Sequence, residues 1–260
     1  MQEIKLNTIY NMDCLEGMKR TPDKSIDMIL CDLPYGTTKC KWDTPLCLDT
    51  LWGQYNRIIK DNGAIILTAK EPFTSSLILS NLQFYRQKLT WLKTRPTNVL
   101  NAKKQFMNWT EDIVVFYKRL PTFNPIMRTD GQFTGIKIQR ANTDRSNSTF
   151  FRTGEKKNYI HKSNNGMFYP KSVIEISNVH HGDQCLHPTQ KPVALFEYLI
   201  KTYTNENDVI LDNCIGSGTT AIACLNTNRN YIGFELDKNY FEVSQKRINK
   251  HFKENSGENL

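Results

Sequence analysis

Met28-Ile29-Leu30-Cys31-Asp32-Leu33-Pro34-Tyr35-Gly36 is an apolar run that ends in a carboxylate, a proline and an aromatic. Such a run reads as a buried parallel strand that delivers polar groups to its carboxyl end. In an open α/β sheet that edge is where ligands bind. Pro34 fixes its own φ and pushes Leu33 toward extended backbone, so Asp32 and Tyr35 are held in a stiff relation. Strands also end in Asp and Pro merely to stop, and the tetrad alone would bear that bland reading. A second stretch weighs against it. Asp212-Asn213-Cys214-Ile215-Gly216-Ser217-Gly218-Thr219-Thr220-Ala221 follows the strand-like Val209-Ile210-Leu211 and opens a helix.

Around these two stretches, strands alternate with helices, the pattern of a largely parallel sheet covered on both faces. The first strand is expected at Ile4 to Tyr10, and an amphipathic helix follows the polar turn at Asp13. A helix is expected from Leu51 to Lys60, ended by Asp61-Asn62-Gly63, with a strand at Ala64 to Thr68. Further elements are a helix over Ser75 to Leu82 and strands over Lys88 to Leu92 and Glu111 to Tyr117. Later come a helix over Val193 to Tyr203, a helix over Thr219 to Asn226, a strand over Tyr231 to Phe234 and a helix from Lys238 to about His251. Gly36 to Asp49 reads as a loop over the strand edge. Pro121 to Gln184 lacks sustained periodicity and is too long for an ordinary connection, so it reads as an insertion.

The expected fold is therefore α/β, a Rossmann-like, mostly parallel sheet with helices on both faces and one irregular insertion. It comprises residues 1–120, the insertion 121–185, residues 186–252 and a frayed tail 253–260. At 260 residues the chain can bury a full core. No signal peptide is visible at the start, and the longest apolar runs are far too short to span a bilayer, so a soluble cytoplasmic protein is expected. Seven cysteines without a C-x-x-C pair argue for reduced thiols. His180, His181, Cys185 and His187 match no common zinc spacing, and no metal site is expected.

Charge is placed unevenly. Between Arg86 and Lys171 stand 17 basic and 5 acidic residues, a local +12 in a chain of net +8. Aromatics such as Trp91, Phe106, Trp109, Phe150 and Tyr169 are interleaved with these cations, which favours a nucleic-acid surface over a merely solvated face.

Gly216 to Ala221 fits G-x-G-x-x-A, and Glu235 follows nineteen positions beyond the first glycine at the end of the next strand. Glycines let a ligand approach the backbone, and the acidic residue can accept from ribose hydroxyls. The pattern alone allows a dinucleotide or S-adenosylmethionine. Asp212 favours the latter, because a carboxylate would repel a pyrophosphate but attract an ammonium and a sulfonium.

With Asp32-Leu33-Pro34-Tyr35 first and the glycine turn near the end, the sequence resembles the amino-methylating DNA methyltransferases of the beta arrangement. The resemblance covers residues 8 to 118 and 186 to 249. It rests on Asp13-Cys14-Leu15-Glu16, the Asp32 tetrad, His187-Pro188-Thr189-Gln190-Lys191-Pro192, Asp212 to Thr220 and Gly233-Phe234-Glu235-Leu236-Asp237, in the family's order. It implies S-adenosyl-L-methionine as cofactor and the exocyclic N6 of adenine in flipped-out duplex DNA as target, with N4 of cytosine or an RNA substrate as alternatives. A nucleotide-dependent oxidoreductase is the rival from another class, and it leaves the Asp32 tetrad without a task.

Carried over by position, the resemblance gives Asp32, Leu33, Pro34 and Tyr35 the catalytic role. Asp32 and the Leu33 carbonyl would accept from the target amine, and Tyr35 would stack on the base. Leu33 stands where the family has a first proline. Leucine has the same carbonyl, and Pro34 restrains it. Asp212, Lys191 and the turn Gly216, Ser217, Gly218, Thr219, Thr220 would surround the methionine moiety of the cofactor, and Asp32 would also belong to the cofactor site. Glu235 would take the ribose and Asp13 with Cys14 the adenine end, with Asp237 a further cofactor-binding position. The insertion would be the target-recognition region, with Lys103, Lys104, Arg128, Lys137, Arg140, Arg145, Arg152, Lys156 and Lys157 as candidates for the DNA groove. Beside double-stranded DNA, the family leaves open a homodimer and a cognate restriction endonuclease as partners, in a bacterial or phage-infected cell.

Overall fold

The computed structural model describes residues 3–36, 45–129, 167–178 and 190–256. By contacts it divides into two units, Met1–Asn124 with Lys171–Leu260, and Pro125–Pro170. Within the smaller unit, Arg128 and Phe168 form an antiparallel bridge, and the Arg128 guanidinium donates to the Tyr169 carbonyl at 3.0 Å.

The larger unit carries strands β1 (Thr8–Asn11), β2 (Ile26–Asp32), β3 (Ile59–Ala69), β4 (Tyr85–Thr97), β5 (Asn108–Phe116), β6 (Val173–Glu175), β7 (Val209–Asp212) and β8 (Asn230–Glu235). They join in one eight-stranded sheet in the order β1-β8-β7-β2-β3-β5-β4-β6. β5 runs antiparallel to both β3 and β4, and the other pairs are parallel.

Among the described residues six α-helices cover the sheet: α1 (Cys14–Arg20), α2 (Leu48–Ile58), α3 (Phe73–Ser80), α4 (Val193–Tyr203), α5 (Thr219–Asn226) and α6 (Lys238–Ser256). Side chains of a strand alternate between faces, and β2 shows the result. Its Met28 and Leu30 pack with Leu195, Phe196 and Leu199 of α4 and with Ala221 and Ile222 of α5. Its Ile29 and Cys31 pack with Met18 of α1, Leu51 and Tyr55 of α2, and Leu77 of α3. Apolar positions three and four apart give α4 and α2 the stripes that these two cores need. Among the described residues no helix is long and apolar enough to cross a membrane.

Several boundaries differ from the sequence expectation. Asp61-Asn62-Gly63 does not end a helix. α2 stops at Ile58 and β3 begins at once, with these residues in an irregular stretch where the register jumps from Ile26–Ile59 to Met28–Ala64. Pairing with β2 overrides the local turn signal. Val173–Glu175, inside the stretch read as irregular, is a strand on the edge of β4. Three residues are too few for periodicity to register. α6 runs on through Ser256, past the start of the supposed frayed tail. His180, His181, Cys185 and His187 lie outside the described residues.

Candidate active site

β2 and β7 lie side by side at the centre of the sheet, Met28 level with Ile210 and Ile29 with Leu211. From β2 the chain crosses through α2 to β3 on one side, and from β7 through α5 to β8 on the other. The strand order reverses between them, which opens a crevice at their carboxyl ends. Asp32 ends β2 and Asp212 ends β7. The two acidic strand ends singled out in the sequence thus share one edge of neighbouring strands.

Asp32 is the hub of a polar network. Its Oδ1 accepts from the Tyr35 hydroxyl at 2.5 Å and from the Thr68 hydroxyl, and its Oδ2 accepts from Lys191 Nζ at 2.6 Å. The Lys191 ammonium also lies 3.4 Å from Glu111 Oε2, and Glu111 Oε1 pairs with the buried Lys93. Burial opposes the charge on Lys191, but the Asp32 and Glu111 carboxylates outweigh it and raise its pKa above the usual lysine range. The Tyr35 phenol is pushed up by burial and by Asp32, so it stays a donor. Its ring stacks on Phe73 with centroids 5.2 Å apart.

Asp212 is buried. Its Oδ1 accepts from the Cys214 N–H at 3.0 Å, and its Oδ2 accepts from the Thr220 hydroxyl. Burial pushes its carboxyl up to about 7, and the charge of Asp32 acts in the same direction. A buried carboxyl so perturbed is poised for a cation. Beyond it, Gly216 and Gly218 adopt φ of +54° and +83°. A Cβ on Gly216 would meet nothing within 4 Å, so open space lies against that turn.

Glu235 closes the turn from β8. Its Oε2 accepts from the Gly216 N–H and its Oε1 from the Asp237 N–H, each at 2.8 Å. The Glu235 carboxyl is raised by burial. Lys191 and Gln190 tie the segment before α4 to the same turn, since Ser217 Oγ donates to Gln190 Oε1 at 3.2 Å and Thr219 Oγ1 to the Lys191 carbonyl at 3.4 Å.

The other expected positions fall as follows. Asp13 caps α1, with Oδ1 accepting from the Leu15 and Glu16 N–H groups at 2.9 and 3.1 Å. Asp237 caps α6 through the Asn239 N–H at 2.8 Å. The Cys14 thiol is buried, and its contact with Cys214 together with burial raises its pKa. Leu33 is buried and Pro34 partly so. Lys103 and Lys104 are exposed in the β4–β5 connection, and Arg128 lies in the smaller unit. Lys137, Arg140, Arg145, Arg152, Lys156, Lys157 and His187 to Thr189 lie outside the described residues.

Sequence reasoning missed Thr68, Phe73, Lys93, Glu111 and Arg247, whose guanidinium donates to the Ser217 carbonyl at 3.2 Å. Thr68 and Glu111 are polar ends of recognisable strands. What the sequence lacks is the direction of β5, which brings its first residues to the edge that holds the last residues of β3.

The doubly wound sheet, the glycine turn and the acidic ends of β2 and β7 define an enzyme built to hold an adenosine-type cofactor beside a second substrate. A DNA methylase family model, that of the N6/N4 methyltransferases, matches residues 26–246. The chain is 28% identical to the type II methyltransferase M.BglII of Bacillus subtilis, over 92% of this chain and 68% of that one. It is 27% identical to the DNA adenine methyltransferase YhdJ of Escherichia coli K12, over 93% and 82%. Among solved structures, the M1.HpyAVI–SAM complex superposes with a TM-score of 0.63 at 25% identity, covering 93% of this chain and 98% of that one. The cytosine-N4-specific PvuII DNA methyltransferase shares the fold, with a TM-score of 0.65 at 17% identity over 95% and 87%. The chain belongs to the amino-methylating DNA methyltransferases.

Proposed function

We propose that this enzyme transfers the methyl group of S-adenosyl-L-methionine to the exocyclic N6 of adenine in duplex DNA, after the base is flipped from the stack. The observation that carries the proposal is the convergence of Asp32 and Asp212 on adjacent strand ends at the point where the sheet order reverses. One strand end suits a target amine and the other a cation.

The residues present fit the cofactor. Asp212, buried beside an open turn, offers a carboxylate to an ammonium or sulfonium, and Glu235 has lone pairs left for ribose hydroxyls after its two backbone bonds. S-adenosylmethionine, when bound, supplies an electrophilic methyl on a positively charged sulfur. Asp32 and the Leu33 carbonyl accept the two N–H bonds of the target amine. An aromatic amine is a poor nucleophile because its lone pair is delocalised into the ring, and acceptors at its hydrogens favour the pyramidal, nucleophilic form. Positioning and charge then govern the displacement. Tyr35 offers a ring to the flipped base in place of its lost neighbours. Lys191 donates to Asp32 Oδ2 and must yield that oxygen when the amine arrives.

Adenine is favoured over cytosine because Asp stands first in the tetrad and because a relative named as an adenine methyltransferase matches at 27% identity, against 17% for the cytosine-N4-specific structure. Residues 121–185 are proposed as the target-recognition insertion, set between a catalytic segment (residues 1–120) and a cofactor-binding segment (residues 186–252). The test is incubation with the methyl donor and unmethylated duplex DNA, followed by hydrolysis and mass spectrometry of the nucleosides. N6-methyladenine is expected. N4-methylcytosine would correct the base, and unmodified DNA would sink the reading.

A further inference from the structure

β3 stops at Ala69, opposite Asp112 of β5, but β4 and β5 run on together past that point through the pairs Trp91–Glu111, Leu92–Thr110 and Thr97–Asn108. Asp32 is level with Thr68 of β3, so this hairpin overhangs the edge that carries the catalytic tetrad. The overhang from Asp112 to Asn108 is four residues, roughly 13 Å of extended chain.

Its tip is built rather than loose. Asn98 sits in the left-handed region at φ +67°, and a 3-10 turn, Val99–Asn101, follows. Asn101 Nδ2 donates to Asn98 Oδ1 at 2.6 Å, the Ala102 N–H to the Val99 carbonyl at 3.0 Å and the Lys104 N–H to the Asn101 carbonyl at 2.8 Å. This turn and the residues that follow it display apolar side chains to solvent. Leu100 is 100% exposed and Phe106 is 98% exposed, beside Val99 at 60%. Arg95, Lys103 and Lys104 flank them, all exposed, and no acidic residue stands between Lys93 and Thr110.

An apolar point costs solubility unless it has something to enter, and its surroundings say what that is. Three cations without a carboxylate suit phosphates. A leucine on a braced turn and a phenylalanine just beyond it have the form of the wedges that part base steps. We infer that Leu100 and Phe106 enter the duplex at the target, filling the gap left by the withdrawn base, while Arg95, Lys103 and Lys104 hold the flanking phosphates. The inference rests on the proposed action on duplex DNA and adds how the base is taken out.

The test compares Leu100→Ala, Phe106→Ala and the double variant with wild type on two duplexes bearing the methylated sequence, one fully paired and one mismatched at the target base. A mismatched base leaves the stack at little cost, so the wedge matters less there. The double variant is expected to lose kcat/KM on the paired duplex by about 10- to 100-fold and on the mismatched duplex by less than about 3-fold, because only the paired base must be unstacked. Both side chains are fully in solvent, so thermal unfolding should be unchanged and misfolding does not cloud the result. Equal losses on the two duplexes, no loss on either, or a change of oligomeric mass in place of a paired-duplex defect would each overturn the wedge. Wild-type enzyme inactive on both duplexes would instead refute the action on DNA, and the wedge with it.

Discussion

Lys191 Nζ stands 2.6 Å from Asp32 Oδ2, joining the segment that precedes α4 to the end of β2 across 159 positions of sequence. The pair sets the resting charge of the site. Because the neighbouring carboxylates hold the folded-state pKa of Lys191 above its ordinary value, its stabilising contribution is complete below about pH 10.4 and is lost as pH rises through the raised value. Lys191→Met should therefore melt lower than wild type by an amount that is constant near neutrality and shrinks only in strong alkali. Thermal unfolding from pH 7 to 11 checks this, and a gap that closes toward pH 7 would contradict it.

Asp212 gives the opposite profile for ligand binding. Its folded carboxyl titrates near 7, against about 3.9 when unfolded, so the free protein loses stability from that group as pH rises from about 4 to 7 and is level above. A cation at the site favours the ionised form. Calorimetric titration should show affinity for S-adenosylmethionine rising up to about tenfold per pH unit below 7 and flattening above. Asp212→Asn should bind more weakly and lose that slope. A variant that keeps the slope would move the titrating group elsewhere.

Gly218 stands just before α5 at φ +83°, and a Cβ there would lie 3.1 Å from the Ser244 Cβ. Gly218→Ala should cost about 1–2 kcal/mol from the left-handed backbone alone, visible as a melting temperature lower by roughly 2–8 °C. Gly216→Ala carries similar strain with no contact within 4 Å, so its stability loss should be the smaller of the two.

Glu111 and Lys93 form a pair in which the lysine is almost wholly buried. Removing one partner of a buried pair costs about 3–5 kcal/mol, less here because an amide oxygen can still accept. Glu111→Gln should lower the free energy of unfolding by about 2–4 kcal/mol on the same basis. Adding Lys93→Met should restore much of it, since no ammonium is then left unpaired. Urea unfolding of both variants measures the coupling, and additive losses would show that the two do not act together.

The site is partly legible in the sequence because its chemistry sits where strands end. Asp32 and Asp212 each close a short apolar run, and Gly216 to Thr220 announces a strand-to-helix turn by composition alone. Val193–Tyr203 and Thr219–Asn226 are legible to the residue, since their apolar spacing is strong and their starts carry proline or glycine. Glu111 and Lys93 are not, because whether the start or the end of β5 faces the crevice depends on its antiparallel pairing with β3, a long-range property. The same holds for Asp61-Asn62-Gly63, a local turn signal absorbed by pairing with β2. Asp13 and Asp237 show the converse, since each satisfies a helix N-terminus, a task that composition cannot separate from binding.

The direct test of the central claim is single-turnover methyl transfer to unmethylated duplex DNA by wild type and by Asp32→Ala. If the carboxylate at the end of β2 receives the target amine, wild type transfers the methyl to adenine and the variant is slower by about 10²–10³-fold, the usual loss when one transition-state partner is removed. A variant as fast as wild type would contradict the assignment of the site.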